Sequence, residues 1–155
     1  MPKSTLRTTP YSLAWGSSIW ARVTAINIYG SSDISEVGNG AVILTYPDPP
    51  INLVEDWTPK TQTSIGLEWE DSAFNGGSDF LDYRISYDQG TGVYVHLHSN
   101  NLEKAYVAEN LTPGTTYSFK VEVRNIWDYS DYSNELTVLC AYKPSEPAAP
   151  TSEVR

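Results

Sequence analysis

The chain has 155 residues, and its 19 acidic against 10 basic side chains give a formal net charge of −9. That balance argues against nucleic acid, whose phosphates reward clustered Lys and Arg, and against adhesion to anionic membrane surfaces. With 11 Tyr, 5 Trp, 10 Gly, 10 Pro and a single Met, the composition is that of short strands punctuated by turns, with scarcely a helix signal.

The N-terminal residues Met1-Pro-Lys-Ser-Thr-Leu-Arg7 lack the apolar core of a signal peptide, and no apolar run reaches the roughly 18 residues that span a bilayer. An internal repeat follows. Val23-Thr-Ala-Ile-Asn27 aligns with Val121-Glu-Val-Arg-Asn125, and Tyr29-Gly-Ser-Ser-Asp-Ile-Ser35 with Trp127-Asp-Tyr-Ser-Asp-Tyr-Ser133, both at an offset of 98 residues. Leu13, Gly16 and Ser17 fall on Leu111, Gly114 and Thr115 at the same offset. Self-similarity at a fixed period marks an array of repeated units. The expected division is the C-terminal half of one unit at 1–46, a complete unit at 47–143, and a linker with the start of a third unit at 144–155. Half a unit cannot bury a sandwich core alone, so 1–46 is expected to be completed upstream or by strand addition from another copy.

The complete unit alternates residue by residue. Ile51-Asn-Leu-Val54 is a short first strand at an edge, and Ser64-Ile-Gly-Leu-Glu-Trp69 sets Ile65, Leu67 and Trp69 on one face. After a turn at Asn75-Gly-Gly-Ser78, Leu81-Asp-Tyr-Arg-Ile-Ser-Tyr87 alternates with Asp82, Arg84 and Ser86 toward water. Gln89-Gly-Thr-Gly92 turns the chain before strands at 93–97 and 104–108. In Thr116-Tyr-Ser-Phe-Lys-Val-Glu-Val-Arg124 the inward residues are Tyr117, Phe119, Val121 and Val123, and Leu136, Val138 and Cys140 share a face of the last strand. Seven short strands predict an all-β fold of two packed sheets.

Trp69, the segment Leu111-Thr-Pro-Gly-Thr-Thr-Tyr117 and Asn125 before the last hairpin resemble fibronectin type III domains. The resemblance implies tandem seven-stranded, immunoglobulin-like β-sandwiches. It also implies that Tyr117 forms the tyrosine corner, its hydroxyl bonding back to the backbone beside Leu111. The first copy departs from the pattern, with Ile19 at the tyrosine position and Trp15 at the proline.

Several residues are candidates for chemistry. His96 and His98 share one side of an expected strand, but a metal site needs three or four donors and no further His or Cys cluster accompanies them. Asp48, Asp56, Asp71, Asp128 and Asp131 are oxygen donors that would suit calcium if they met at a junction, although scattered carboxylates ordinarily solvate a surface. No catalytic constellation, cofactor-binding motif or metal motif stands out, so no enzyme activity and no cofactor are expected. Asn110-Leu-Thr112 is an N-glycosylation acceptor on an expected surface turn. Tyr129-Ser-Asp-Tyr-Ser133 is similar to the aromatic-Ser-x-aromatic-Ser box of cytokine receptor domains. That likeness implies a ladder of Tyr129 and Tyr132 against Arg124 and Lys120, though the paired cysteines of such receptors are missing and Cys140 stands alone.

The Pro-rich junction Tyr46-Pro-Asp-Pro-Pro50 leaves almost no linker and predicts a stiff rod. The expected role is a non-enzymatic structural or adhesive module at the cell surface or outside the cell, a spacer or filament building block. Its expected partners are neighbouring units of the same array, another copy or a protein ligand. The alternatives are a receptor-type module binding through the loops at 75–79 and 88–92, and an intracellular or cytoskeletal scaffold.

Overall fold

The computed structural model of the chain describes residues 2–141. The expected start of a further unit at 144–155 lies outside the described residues. The first segment holds a short helix α1 (Lys3–Arg7), then β1 (Ser18–Ala21), β2 (Ile26–Asn27), β3 (Gly30–Ser31) and β4 (Gly38–Val42). β1 pairs antiparallel with β4, and β2 with β3. From residue 51 the chain forms β5 (Ile51–Thr61), β6 (Ser64–Glu70), β7 (Asp82–Tyr87), β8 (Val95–Asn101), β9 (Ala105–Ala108), β10 (Thr116–Arg124) and β11 (Leu136–Leu139). These seven strands build two antiparallel sheets, ordered β5-β6-β9 and β11-β10-β7-β8.

The alternation within each strand decides what lies between the sheets. Ile65, Leu67 and Trp69 of β6 meet Tyr83 and Ile85 of β7 and Tyr117, Phe119, Val121 and Val123 of β10, all in one buried cluster. Full burial of such a side chain is worth about 1.5–3 kcal/mol. Trp69 and Tyr83 pack edge to face with ring centroids 5.4 Å apart, which joins the two sheets. Trp69, Leu111, Tyr117 and Phe119 are all buried. The Thr112 N–H donates to Tyr117 Oη at 3.0 Å, and the Leu111 N–H donates to Thr63 O at 2.9 Å, so the crossing before β10 is held from both sheets.

Four local expectations are corrected. The first segment contains α1, where the composition gave scarcely a helix signal. At the repeat offset, residues 6–10 correspond to 104–108, where β9 is a strand because it pairs with β6. Among the described residues Lys3–Arg7 have no strand alongside, and the backbone closes locally, with Thr5 N–H donating to Pro2 O at 3.1 Å.

β5 is an edge strand, but it is eleven residues long instead of ending at 54, because it turns into β6 as a hairpin closed by Thr61 opposite Ser64. β8 begins two residues later than expected and carries two bulges. His98 lies opposite Ile85 and His96 opposite Ser86, so two residues of β8 face one of β7. Such a bulge breaks the alternation, so that residues two apart need no longer share a face. His96 Nδ1 lies 3.1 Å from Ser86 Oγ, whereas His98 stacks on Tyr106 at 4.9 Å, and the two imidazoles do not converge.

Asp82 and Ser86 do not face open water either. Both are buried, as is Glu122, because cationic and aromatic side chains cover the outer face of β7 and β10.

Replacing Tyr117 by Phe removes the acceptor for the Thr112 N–H and leaves the ring in place. The expected loss is about 1 kcal/mol of unfolding free energy with an unchanged denaturant slope, measured by urea denaturation.

Candidate functional site

Two glycines and one asparagine build the contact between the first segment and the sandwich. Gly76 and Gly77 both have positive φ, +73° and +92°, in the turn between β6 and β7. A Cβ on Gly76 would overlap Thr45 O, and one on Gly77 would overlap the Gly16 N, so only glycine lets the two backbones approach. The Thr45 N–H then donates to Gly76 O at 3.0 Å, and the Asp48 N–H to Phe74 O at 3.0 Å.

Asn125, at the end of β10, is buried against the same place. Its Nδ2 donates to Thr45 O at 2.9 Å and to Asn75 O at 2.8 Å. Its Oδ1 accepts from the N–H groups of Trp127 at 2.8 Å and Asp128 at 3.1 Å. Both amide donors and both oxygen lone pairs are thereby occupied.

Aromatic contacts surround this polar centre. Trp15 packs edge-on against Phe74, and Tyr46 against Trp127, each pair with centroids 6.5 Å apart. Lys3 lies 4.0 Å from the centre of the Trp127 ring and donates to Leu44 O at 3.2 Å, bridging both sides. The loop at 75–79, expected as a ligand-binding loop, is therefore turned against residues 15–16 and 45. The loop at 88–92 is a tight turn closed on itself and on β10: Asp88 Oδ1 accepts from Gly90 N–H at 3.0 Å and Ser118 N–H at 2.9 Å. Burial raises the Asp88 pKa, but the N–H groups of Ser118, Gly90 and Gly92 outweigh it and hold the carboxyl below the ordinary aspartate value.

The hydrogen bonds of the repeat recur in space. Val121 N–H donates to Ser133 Oγ at 3.0 Å and Val123 N–H to Ser130 Oγ at 3.1 Å, while the N–H groups of Ser133 and Ser130 return to Val121 O and Val123 O, both at 2.8 Å. In the first segment Val23 N–H donates to Ser35 Oγ at 3.0 Å and Ala25 N–H to Ser32 Oγ at 3.1 Å, with the return bonds both 2.9 Å. These serines act where a strand partner is lacking, since β11 pairs with β10 only from Thr116 to Phe119.

The same segment carries the aromatic residues of the expected ladder. Lys120 Nζ lies 6.0 Å from the centre of the Tyr132 ring, and Arg124 Cζ lies 5.3 Å from that of Tyr129. Two closer contacts escaped the sequence reading: Arg84 Cζ over Tyr129 at 3.9 Å and Lys120 Nζ over Tyr94 at 4.1 Å. Arg84 also makes a bidentate pair with Glu122, both bonds 2.7 Å, and Arg124 pairs with Asp82. The bond to Glu122 holds the Arg84 guanidinium above its usual pKa. Arg84 was legible only through register, because it stands opposite Glu122 once Ile85 is set against Val121.

The remaining candidates stay apart. Asp71 is tied to Tyr83 and to Lys104, the latter at 3.1 Å, and among the described residues no group of three or more His, Cys, Asp or Glu could hold a metal ion. Asn110 is exposed at φ +58°, in the turn between β9 and β10. Cys140 is buried, and burial pushes its thiol pKa up.

A seven-stranded sandwich of two antiparallel sheets with this tyrosine corner defines a β-sandwich module. The model of the fibronectin type III domain matches residues 48–138, and the chain belongs to that family. It is similar to ephrin type-A receptor 6 of Mus musculus, 31% identical over 138 residues that cover 85% of this chain and 13% of the receptor. It is also similar to fibronectin type III domain containing protein 3C1 of Mus musculus, 30% identical over 83% of this chain and 9% of that protein. Among solved structures, domains A168-A170 from titin superpose with a TM-score of 0.66 at 21% identity, covering 84% of this chain and 43% of that one. The chain thus spans a small fraction of the curated relatives it matches. Domains of this family are generally non-catalytic modules, found here in a receptor and in titin-like chains. Among the described residues no helix is long and apolar enough to cross a membrane.

Replacing Tyr129 by Ala removes the ring that Arg84 and Arg124 both face. The expected loss is about 1 kcal/mol of stability, read as a lower thermal midpoint, with a smaller effect for Tyr132→Ala, whose nearest cation is 6.0 Å away.

Proposed function

We propose that the chain is a stretch of a tandem array of fibronectin type III units and serves as a semi-rigid spacer or fibre building block. In this reading residues 1–46 are the C-terminal half of one unit, 47–143 a complete unit, and 144–155 the approach to a third. The observation that carries it is the junction itself. Thr45, Gly76 and the Asn125 side chain join two segments by direct hydrogen bonds to the backbone, where a flexible tether would leave these groups to water. The repeated serine bonds, set 98 residues apart, support a second copy of the unit in the first segment.

The extracellular or cell-surface placement is supported by the exposed Asn110-Leu-Thr112 acceptor and by the receptor among the relatives. An intracellular scaffold is the second reading, favoured by the likeness to titin. Expression through a secretory pathway separates them: a mass shift abolished by Asn110→Gln supports the first, and an unmodified chain supports the second.

Rigidity has its own test. In nuclear relaxation measurements the first segment and the sandwich are expected to tumble as one body. Asn125→Ala, which strips Thr45 O of its donor, should give the first segment faster internal motion while the sandwich core keeps its exchange protection. Independent tumbling of the unsubstituted chain would refute the spacer reading.

A further inference from the structure

When glycine follows asparagine, no Cβ shields the glycine nitrogen or restricts its rotation, so the backbone readily attacks the asparagine side chain. The chain has two such pairs, Asn39-Gly40 and Asn75-Gly76. The second lies in the turn that docks against the first segment, and the oxygens around its reacting nitrogen are all in use. Asn75 Oδ1 accepts from Gly77 N–H at 3.0 Å, Asn75 O from Asn125 Nδ2 at 2.8 Å, and Gly76 O from Thr45 N–H at 3.0 Å. The Gly76 N–H, by contrast, donates to no acceptor among the described residues. Gly76 is buried and Asn75 is half-buried.

We propose that Asn75 is a site of spontaneous deamidation, that the docked junction holds the reaction in check, and that the isoaspartyl product keeps the junction from closing again. The Gly76 nitrogen, its proton lost to solvent base, attacks Asn75 Cγ. The bond from Cγ to Nδ2 breaks, ammonia leaves with a proton from solvent, and a five-membered imide remains. Water then opens the ring at Cγ to give aspartate, or at the main-chain carbonyl to give isoaspartate. One water is consumed and one ammonia released, with no oxidant or enzyme. The docked geometry opposes the first step. Gly76 N and Asn75 O share one peptide plane, so turning the nitrogen toward Cγ swings the carbonyl away from Asn125 Nδ2. Thr45 holds the next carbonyl, Gly76 O, from across the junction. The reaction therefore waits for local opening. Aspartate keeps the backbone path and an oxygen for the Gly77 N–H. Isoaspartate routes the chain through the side chain and lengthens it by one C–C bond, about 1.5 Å. The contact has no slack for this, because even a Cβ on Gly76 would overlap Thr45 O. The modification concerns the contact itself and holds whether or not further units follow.

The experiment incubates the full chain in mildly alkaline buffer at body temperature. The tryptic peptide 61–84, in which Asn75 is the sole asparagine, is followed by mass spectrometry for conversion of amide to acid. Labelling by isoaspartyl methyltransferase counts the β-linked product, and the chain unfolded in urea sets the unrestrained rate. Conversion is expected to be slowest in the folded parent and about tenfold faster in Asn125→Ala, which releases Asn75 O and Thr45 O. Gly16→Ala is the second variant. It lies outside the sandwich, has φ +83°, and would place a Cβ 2.9 Å from Gly77 O, so it opens the junction with the sandwich left intact. A folded parent that converts as fast as the unfolded chain, or variants that convert no faster than the parent, overturns the proposal. In the isoaspartyl chain the Thr45 amide should lose its exchange protection while the sandwich core keeps its own. Retained protection at Thr45 overturns the one-way opening.

Discussion

Everything at the junction depends on one carboxamide being fully used. Asn125 is buried, and a buried amide with an empty donor or acceptor is costly. Its four bonds fix one local turn, a turn 50 residues away and a segment 80 residues away, so the turn at 125–128, the glycine turn at 75–77 and the chain at Thr45 are positioned as a set. No neighbouring residue type does this as well. Aspartate lacks the two donors, and glutamine sets its amide one methylene farther from the backbone than these four bonds require. The glycines supply the other half of the constraint, since close backbone approach is what brings Thr45 within reach of the amide.

The core and the outer face obey different rules. Between the sheets, alternation and size suffice: β10 places Tyr117, Phe119, Val121 and Val123 inward, and of these four only Tyr117 carries a polar group, which takes the Thr112 N–H. Outside, β7 and β10 set Asp82 against Arg124 and Arg84 against Glu122, and the Tyr129 ring closes over both arginines. That covering explains how carboxylates come to be buried on a face where alternation predicts water. The ion pairs are cross-strand neighbours in a partly desolvated layer, where screening by solvent is weaker than at a free surface.

Much of this was legible in the chain. The bounds of β10, the inward residues of β6 and the position of Tyr117 follow from period-two alternation and from turn residues. The rest depended on partners far away in sequence. A helix formed at Lys3–Arg7 because strand character there requires a neighbour, and the bulges of β8 separated two histidines that simple alternation places together. Asn75-Gly-Gly-Ser78 reads as a turn in sequence, and it is one. Its use as a backbone docking face shows only when Thr45 and Gly16 lie beside it, and nothing local to the glycines signals that. Arg84 and Tyr94 were missed for the same reason, because register, not composition, brings them to the ladder.

The serine bonds also bear on how wide the sheet can grow. Val121 and Val123 offer N–H groups on the flank of β10 beyond the end of β11, a place where a stray strand from another molecule would find ready donors. Ser130 and Ser133 occupy those donors with hydroxyls and cover the carbonyls with their own N–H groups. An incoming strand would have to displace four bonds before forming its first. In a chain that carries the same arrangement twice, this seals lateral growth of the sheet at that flank in each copy, leaving the ends of the molecule as the direction in which contacts extend.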